Sequence, residues 1–327
     1  MTGAGTVLAP GGTAPQRRPE TGDSITIFAP DGIGEVTAGA DLTGLVVDAV
    51  GRQPEGPLRD GDIVVITSKV VSKAEGRQLP AHQHGDAIAA QTVRTVSRRG
   101  TTHIVRTPTG LTIAAAGVDR SNVEPSSIVL LPADPDASAA RLRARLVSRT
   151  GRTVAVIISD TAGRPWRIGQ TDHAIGAAGL RVIERYAGRT DPYGNPLQVT
   201  APAVADEVAA AADLAKGKLD GRPVAVLRGL GRLVTDVGDD ARTLLRAPDL
   251  DLFPYGSREA VLAAALAATG QQDRYEELVG LEQPELVDAV LAGSGLSGAA
   301  AELLARMLTA AGELNQSNTA DPAASPG

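Results

Sequence analysis

A strand that runs into a polar segment constrains this chain more than any other feature of its sequence. A buried strand is predicted by four β-branched residues, Val154, Val156, Ile157 and Ile158. We expect it to end at Asp160 and Thr161, where the polar residues begin. A carboxylate and a hydroxyl at a strand end suit a hard cation, which takes oxygen ligands. The pattern favours a metal site, although either residue would also serve as the N-cap of a following helix.

The segment after this strand is predicted to be a loop punctuated by Gly and Pro, followed by a helix start within residues 174–180. The predicted loop carries Arg164, Trp166, Arg167, Gln170 and Asp172. Guanidinium groups bind carboxylates and phosphates bidentately. Arg164 and Arg167 are therefore candidates to hold an anionic substrate.

Composition excludes several classes of protein. The chain has 327 residues, a net charge of −6 and no cysteine. The acidic balance argues against general nucleic-acid binding, which needs a basic surface. The absence of cysteine excludes disulfides and thiolate metal sites and is typical of a reducing cytoplasm. No apolar run approaches the roughly 20 residues that span a bilayer, so we expect neither nucleic acid nor membrane as a partner.

Short β-rich runs alternate with helical patterns over residues 24–256, which predicts one α+β domain built on a mixed sheet. Residues 63–67 predict a second buried strand, residues 137–149 an amphipathic helix, and residues 87–99 another helix. No Walker A pattern occurs, so a P-loop nucleotide fold is not expected.

The two ends of the chain differ from this domain. Residues 257–315 contain segments with helical spacing and predict a small helical appendage. Residues 1–23 and 316–327 are rich in Gly, Pro and small polar residues, which predicts a disordered leader and a disordered tail.

A second cluster of chemical groups follows the strand at residues 63–67. Ser68, Lys69 and Lys73 place a hydroxyl and two cations where phosphate oxygens are commonly bound. The alternative is structural, because Ser72 and Glu75 fit a capping box and the two lysines lie one helical turn apart on a solvated face. Both interpretations can hold together.

Asp119 is a third candidate, because it follows a predicted strand of small residues. Alone, it is typical of an Asx turn. Paired with Asp160, it supplies a second strand-end carboxylate, and two such carboxylates can share one metal ion.

Several segments taken together resemble one family. They are TSKVVSKAEGR, AAGVDRSN, ISDTAGRPWRIGQTD with AIGAAGL, RTDPYGN and VADEVAAAADLAKGK, in this order. From about Ser24 to Gly256 the chain resembles the coenzyme F420-0:L-glutamate ligases, also called F420 γ-glutamyl ligases, and it is most similar to the actinobacterial type. Many actinobacterial relatives continue into a nitroreductase-like domain. The segment after Ser257 is too short for that domain, so no reductase activity is implied.

The resemblance implies an α+β fold that forms an intertwined homodimer. It also implies a GTP-dependent ligase that attaches L-glutamate to the deazaflavin F420-0 through an acyl phosphate. Such an enzyme releases GDP and phosphate and can add further γ-linked glutamates. Two alternatives stay open. A metal-dependent phosphohydrolase is one, since paired carboxylates near Lys and Arg also suit hydrolysis. A non-catalytic nucleotide-binding or assembly protein is the other, and the helical appendage is the feature that best fits it.

Motif matching carries the family's site residues onto this sequence. Asp119 and Asp160 match ligands of one divalent ion, Mg²⁺ or Mn²⁺, and Thr161 lies near a second; K⁺ is a further cation that the resemblance allows. Lys218 stands where some relatives have an acidic ligand of the second metal, which implies a rebuilt or weaker second site. The implied nucleotide-binding positions are Ile33, Gly34, Glu35, Val36, Ser68, Lys69, Lys73, Asn122 and Gly217.

Overall fold

The computed structural model describes residues 24–121 and 124–316, with side chains up to residue 313. The predicted leader, the tail from residue 317 onward and the candidate Asn122 lie outside the described residues. None of the described helices combines the length and apolar character that a membrane crossing needs.

The described residues form ten strands and nine α-helices, joined by turns and short 3₁₀ segments. The strands are β1 (Thr26–Phe28), β2 (Ile63–Thr67), β3 (Gln78–Pro80), β4 (Arg94–Arg99), β5 (Thr102–Arg106), β6 (Thr112–Ala114), β7 (Ser127–Val129), β8 (Ala155–Arg164), β9 (Arg167–Ala178) and β10 (Val224–Arg228). The helices are α1 (Leu42–Gly51), α2 (Ser68–Ala74), α3 (His84–Ala90), α4 (Pro135–Thr150), α5 (Val204–Lys216), α6 (Ser257–Ala268), α7 (Tyr275–Leu278), α8 (Glu285–Ser294) and α9 (Gly298–Gln316). The predicted α+β class is confirmed.

The main sheet has the strand order β1-β10-β2-β8-β9. Its strands are antiparallel except for the central pair β2 and β8. Alternate residues of this pair face opposite cores: Val64 and Val156 pack with α1 and α4, whereas Val65 and Ile157 pack with α5. Full burial of one such side chain contributes about 1.5–3 kcal/mol. Helices on both faces explain why these strands read as continuous apolar runs.

The parallel pairing also brings the candidate clusters together. Thr67 at the end of β2 lies opposite Ser159 of β8. The next residues, Ser68 and Asp160, therefore meet at the same edge of the sheet, although they are 92 positions apart in the chain.

The predicted end of β8 at Asp160 and Thr161 is wrong. β8 continues to Arg164 and pairs with β9 through a two-residue turn, so the predicted loop is a two-stranded hairpin arm and neither residue caps a helix. The turn residue Trp166 has a left-handed φ of 60°, and Pro165 precedes it. Gly163, Gly169 and Pro165 suggested a loop, but here they lie in and beside a hairpin turn.

The predicted helix start at residues 174–180 is also wrong, because residues 174–178 belong to β9. The small side chains have a packing reason instead. A Cβ at Gly176 would collide with the carbonyl group of Pro135 at the start of α4. The small residues thus allow a helix to approach the strand closely.

The predicted helix at residues 87–99 is wrong beyond Ala90, where α3 ends. Residues 94–99 form β4, an edge strand of the three-stranded sheet β4-β5-β6. Val96, a β-branched residue, is buried in that sheet.

Helices α6–α9 form the C-terminal helical unit, which has its own apolar core that includes Leu262, Leu266 and Val290. This unit covers the outer edge of β4. The Glu276 carboxylate accepts the Thr95 N–H at 3.0 Å, and the Tyr275 hydroxyl donates to the Thr95 carbonyl at 2.8 Å. Polar groups of an unpaired strand edge are thereby satisfied by side chains.

Candidate active site

An open cleft of about 870 Å³ lies at the edge where β2 ends and β8 continues into the arm. Five parts of the chain line it: the loop after β1, the first turns of α2, the turn after β6, the base of the arm, and the end of α5 with the loop that follows. Residues far apart in sequence thus surround one space.

Asp160 lies at the centre of the polar groups. Its Oδ1 accepts a hydrogen bond from Ser68 Oγ at 2.6 Å. Burial raises the pKa of Asp160 to about 6, and the neighbouring carboxylates of Asp119 and Asp172 add to the rise against the opposing hydrogen bond from Ser68. The surrounding donors and cations therefore stabilise the ionised form of the Asp160 carboxylate less than water does.

Asp119 lines the same cleft and forms the Asx turn that its sequence indicated, since the Ser121 N–H donates to Oδ1 at 2.6 Å. It also faces the cleft, where Lys69 Nζ lies 2.7 Å from its Oδ2. Burial works to raise the pKa of Asp119, but the hydrogen bonds and charge of Lys69, together with the Ser121 N–H, outweigh burial and hold the pKa below its usual value. The structural and functional interpretations therefore coexist.

The turn before Asp119 is strained. Ala115 and Ala116 have left-handed φ values of 48° and 55°. Left-handed backbone costs a non-glycine residue about 1–2 kcal/mol, and such strain clusters at functional sites. The strained turn also lines the cleft through Ala115.

The donor set fits a divalent cation that is completed by substrate oxygens. Among the described residues, no three His, Cys, Asp or Glu side chains form a ready-made metal site. Mg²⁺ is usually held by one or two carboxylates plus phosphate oxygens. The Asp160 carboxylate near Asp119 matches that arrangement.

Lys73 links α2 to the loop after β1. Its Nζ lies 2.6 Å from Glu35 Oε1, and its side chain is buried. The capping-box prediction is wrong, because α2 begins at Ser68 and Ser72 lies inside the helix. Glu75 instead pairs with Arg141 of α4 at 2.8 Å. Lys73 is buried and lines the cleft, so it does not lie on a solvated helix surface.

The other candidate positions fall into two groups. Those that line the cleft are Ile33, Gly34, Glu35, Val36, Lys69, Lys73, Gly217, Asp119, Asp160 and Thr161. Ser68 reaches the cleft residues through its hydrogen bond to Asp160. Arg164 and Arg167 lie at the tip of the arm and do not line it. Near them, Trp166 is 81% exposed and its ring packs edge-to-face on Phe253 at 4.9 Å.

Sequence reasoning missed a buried ion pair on the cleft wall. Lys216 Nζ lies 2.7 Å from Asp172 Oδ2, and Thr161 Oγ1 donates to Asp172 Oδ1 at 2.7 Å. Burial works to raise the pKa of Asp172, but the ammonium of Lys216 and the hydroxyl donors outweigh burial and lower the pKa. Asp172 had seemed a loop residue and Lys216 part of a solvated helix face, and neither position has a local sequence signal for the pairing.

Comparison with known proteins gives a consistent result. The sequence model of the F420-0:gamma-glutamyl ligase family matches residues 32–229. A coenzyme F420:L-glutamate ligase of Methanothermobacter thermautotrophicus is 40% identical over 252 residues, which cover 70% of this chain and 98% of that protein. The coenzyme F420:L-glutamate ligase of Archaeoglobus fulgidus is 37% identical over 225 residues, covering 63% and 88%.

A third similar protein, the coenzyme F420:L-glutamate ligase of Methanopyrus kandleri, is 37% identical over 241 residues, covering 67% of this chain and 93% of that protein. The family match includes every candidate cleft residue, from Ile33 to Gly217, and ends before the C-terminal helical unit. The chain therefore belongs to the F420-0:gamma-glutamyl ligase family and is a ligase.

Proposed function

We propose that this protein acts in coenzyme F420 biosynthesis and attaches L-glutamate to F420-0 at the expense of GTP. The observation that carries the proposal is the cleft, which gathers Asp119, Asp160 and Thr161 with the ammonium groups of Lys69 and Lys73. Family membership supports the ligase chemistry. GTP as the nucleotide, the further γ-linked glutamates and the actinobacterial type rest on the resemblance of the motifs.

Amide formation from a carboxylate needs an activated acyl group. In the proposed reaction, a carboxylate oxygen of F420-0 attacks the γ-phosphorus of GTP, and GDP leaves with the electrons of the broken P–O bond. The glutamate amine then attacks the acyl phosphate, loses a proton and displaces inorganic phosphate. Lys73 and Lys69 would stabilise the negative charge of the transferred phosphoryl group.

Asp160 and Asp119 would hold one divalent cation, Mg²⁺ or Mn²⁺, and Thr161 would contribute its hydroxyl oxygen to a second. Bound there, such an ion would neutralise charge on phosphate oxygens during transfer. Lys218 lines the cleft and, while protonated, cannot serve as a ligand of a second cation. A role for K⁺ stays a prediction.

The arm carries the proposed acceptor contacts and the proposed dimer contact. Arg164 and Arg167 suit the phosphate tail of F420-0 or the carboxylates of glutamate. An isolated two-stranded hairpin is marginally stable in water, and Trp166 and Ile168 on the arm are 81% and 89% exposed. Burial of the arm against a second copy would answer both points, which supports a homodimer. A cytoplasmic location stays a prediction from the composition.

The deciding experiment is mass spectrometry of F420-0 incubated with the protein, GTP, L-glutamate and Mg²⁺ or Mn²⁺. We expect product heavier by one or more glutamyl residues and one GDP formed for each glutamate added. Omission of any single component should abolish the product. A complete mixture that leaves F420-0 unchanged would contradict the proposal.

The same mixtures test the first alternative, a metal-dependent phosphohydrolase. That enzyme would release phosphate from GTP without F420-0 and glutamate, whereas the ligase should need both. A phosphate assay with and without the two acceptor substrates separates the two functions.

A further inference from the structure

Lys216 and Asp172 form an ion pair that is almost completely buried, with side chains 4% and 2% exposed. The pair joins the last residue of α5 to β9 at the wall of the cleft. Removing two charges from water costs free energy that their attraction often fails to recover, and apolar side chains of similar size are often at least as stabilising. Stability alone therefore gives no reason for charges at these positions.

The hydrogen bonds of Asp172 point to a role in the cleft. Its Oδ2 accepts from Lys216 Nζ at 2.7 Å and from Ser159 Oγ at 2.8 Å. Its Oδ1 accepts from Thr161 Oγ1 at 2.7 Å. A threonine hydroxyl has one proton and two lone pairs. Because the proton is committed to Asp172, the lone pairs of Thr161 are left to accept from, or to bind, a group in the cleft.

The pair also sets the charge of the cleft wall. Of the three neighbouring carboxylates, Asp119 is paired with Lys69 and Asp172 with Lys216. Asp160 has no ion pair among the described residues and accepts a hydrogen bond from the neutral Ser68 hydroxyl. Lys216 therefore neutralises a carboxylate that would otherwise attract cations beside Asp160.

We infer that Asp172 and Lys216 are positioning residues, which orient Thr161 Oγ1 toward the second divalent cation of the proposed reaction and prevent Asp172 from competing for it. The inference rests on the proposed function, because it takes Thr161 as a ligand of that cation. Residues that orient metal ligands through hydrogen bonds commonly change metal affinity by about 10–100-fold.

The test compares Mn²⁺ affinity among variants of the full chain, measured from the electron paramagnetic resonance signal of free Mn²⁺ with and without GTP. Thr161→Val removes the hydroxyl. Asp172→Leu with Lys216→Met removes the acceptor and both charges, so that no lone charge stays buried. Asp172→Asn with Lys216→Met removes the charges but keeps an oxygen that accepts from Thr161.

We expect Thr161→Val and the Asp172→Leu pair each to weaken Mn²⁺ binding by about tenfold or more. The Asp172→Asn pair and Thr161→Ser should bind nearly as well as the wild type, since each keeps the hydroxyl and its acceptor. A triple variant, Thr161→Val with Asp172→Leu and Lys216→Met, should be no weaker than Thr161→Val alone, because Asp172 acts through Thr161.

Three outcomes would overturn the inference. Two concern the Asp172 variants: an additive loss in the triple variant, and an Asp172→Asn pair as weak as the Asp172→Leu pair. The third concerns Thr161→Val. Thermal melting checks folding. If the leucine pair does not fold, Asp172→Ser with Lys216→Met replaces it, because a serine side chain is too short to reach Thr161. Unaltered Mn²⁺ binding by Thr161→Val, in a protein that still glutamylates F420-0, overturns this inference and leaves the proposed function standing.

Discussion

At the scale of single residues, Asp160 lowers the stability of the metal-free fold at neutral pH. Its pKa of about 6 lies above the value of about 3.9 expected in the unfolded chain. Below about pH 3 both states are protonated and the residue has no effect. As the pH rises toward 6, the unfolded state loses its proton first, so stability falls, and the cost then stays constant at up to about 3 kcal/mol.

We therefore predict that Asp160→Asn raises the melting temperature of the metal-free protein at neutral pH, while abolishing ligation and stabilisation by Mn²⁺. The amide keeps an acceptor for Ser68 without the buried charge. Thermal melting with and without Mn²⁺, together with the glutamylation assay, measures all three effects.

The matched control is Asp60→Asn. Asp60 is an exposed carboxylate that pairs with Arg152 at 3.1 Å, outside the cleft. This variant should leave ligation and the response to Mn²⁺ unchanged. A metal-free Asp160→Asn protein that melts below the wild type at neutral pH would contradict the assigned cost.

At the scale of elements, the start of α4 shows how one carboxylate joins several segments. Asp136 is buried in the first turn and accepts the N–H of Ala177 in β9 at 2.9 Å and that of Ala241 at 2.7 Å. The neighbouring Asp134 is the exposed N-cap and accepts the Ala137 N–H. The two aspartates lie two positions apart but differ in burial and in the number of groups they bind.

We predict that Asp136→Ala lowers the free energy of unfolding by about 2–6 kcal/mol, because two buried N–H groups lose their acceptor at about 1–3 kcal/mol each. Asp134→Ala should cost about 1 kcal/mol, the usual effect of losing an N-cap. Chemical denaturation of both variants gives the comparison. Equal losses would show that Asp136 acts as an ordinary helix-end residue.

The same elements show what the sequence could predict. Apolar periodicity correctly located β2, the buried half of β8 and most of α4, because burial on both sheet faces or on one helix face leaves a regular pattern. It failed at the arm, where backbone pairing of β8 with β9 outweighs Gly163 and Gly169. The local sequence pattern reflects the conformational preference of each residue, and pairing with a neighbouring strand can outweigh that preference.

Some residues of the candidate site could likewise be identified from the sequence, and others could not. The sequence identified Asp160, Asp119 and the lysines of α2 as candidates because each follows a predicted strand and carries a characteristic group. Lys216 was not identified, since its meaning depends on Asp172, which lies 44 positions away and faces it only after α5 packs on β9. The register that places Ser68 beside Asp160 is likewise a property of the parallel pair.

At the scale of the whole molecule, the C-terminal helical unit completes the sheet that contains β4. Its side chains bind the outer backbone atoms of β4 at Thr95 and Arg98, and the N–H of Gly256, just before the unit, binds the Val96 carbonyl. An open strand edge is a template for pairing with another chain. We therefore expect the unit to protect the ligase fold from association through β4.

We predict that ending the chain after Gly256 yields a protein that associates beyond the state of the full chain as its concentration rises. Analytical ultracentrifugation across a concentration series measures this. Glu276→Ala should show a weaker form of the same behaviour, because it frees the Thr95 N–H. Glu285→Ala, an exposed change on α8, is the control and should have no effect. Identical sedimentation of the truncated and full chains would contradict the protective role.

The placement of Trp166 makes the hairpin arm observable without a label. It is the sole tryptophan of the chain, and it lies at the tip of the arm, 81% exposed against Phe253. Intrinsic indole fluorescence therefore reports on this tip and on no other part of the protein. Contact with a second copy should shift the emission to shorter wavelength as protein concentration rises, whereas an arriving deazaflavin should quench it at fixed concentration. The wavelength of the emission thus reports on assembly, and its intensity reports on acceptor binding.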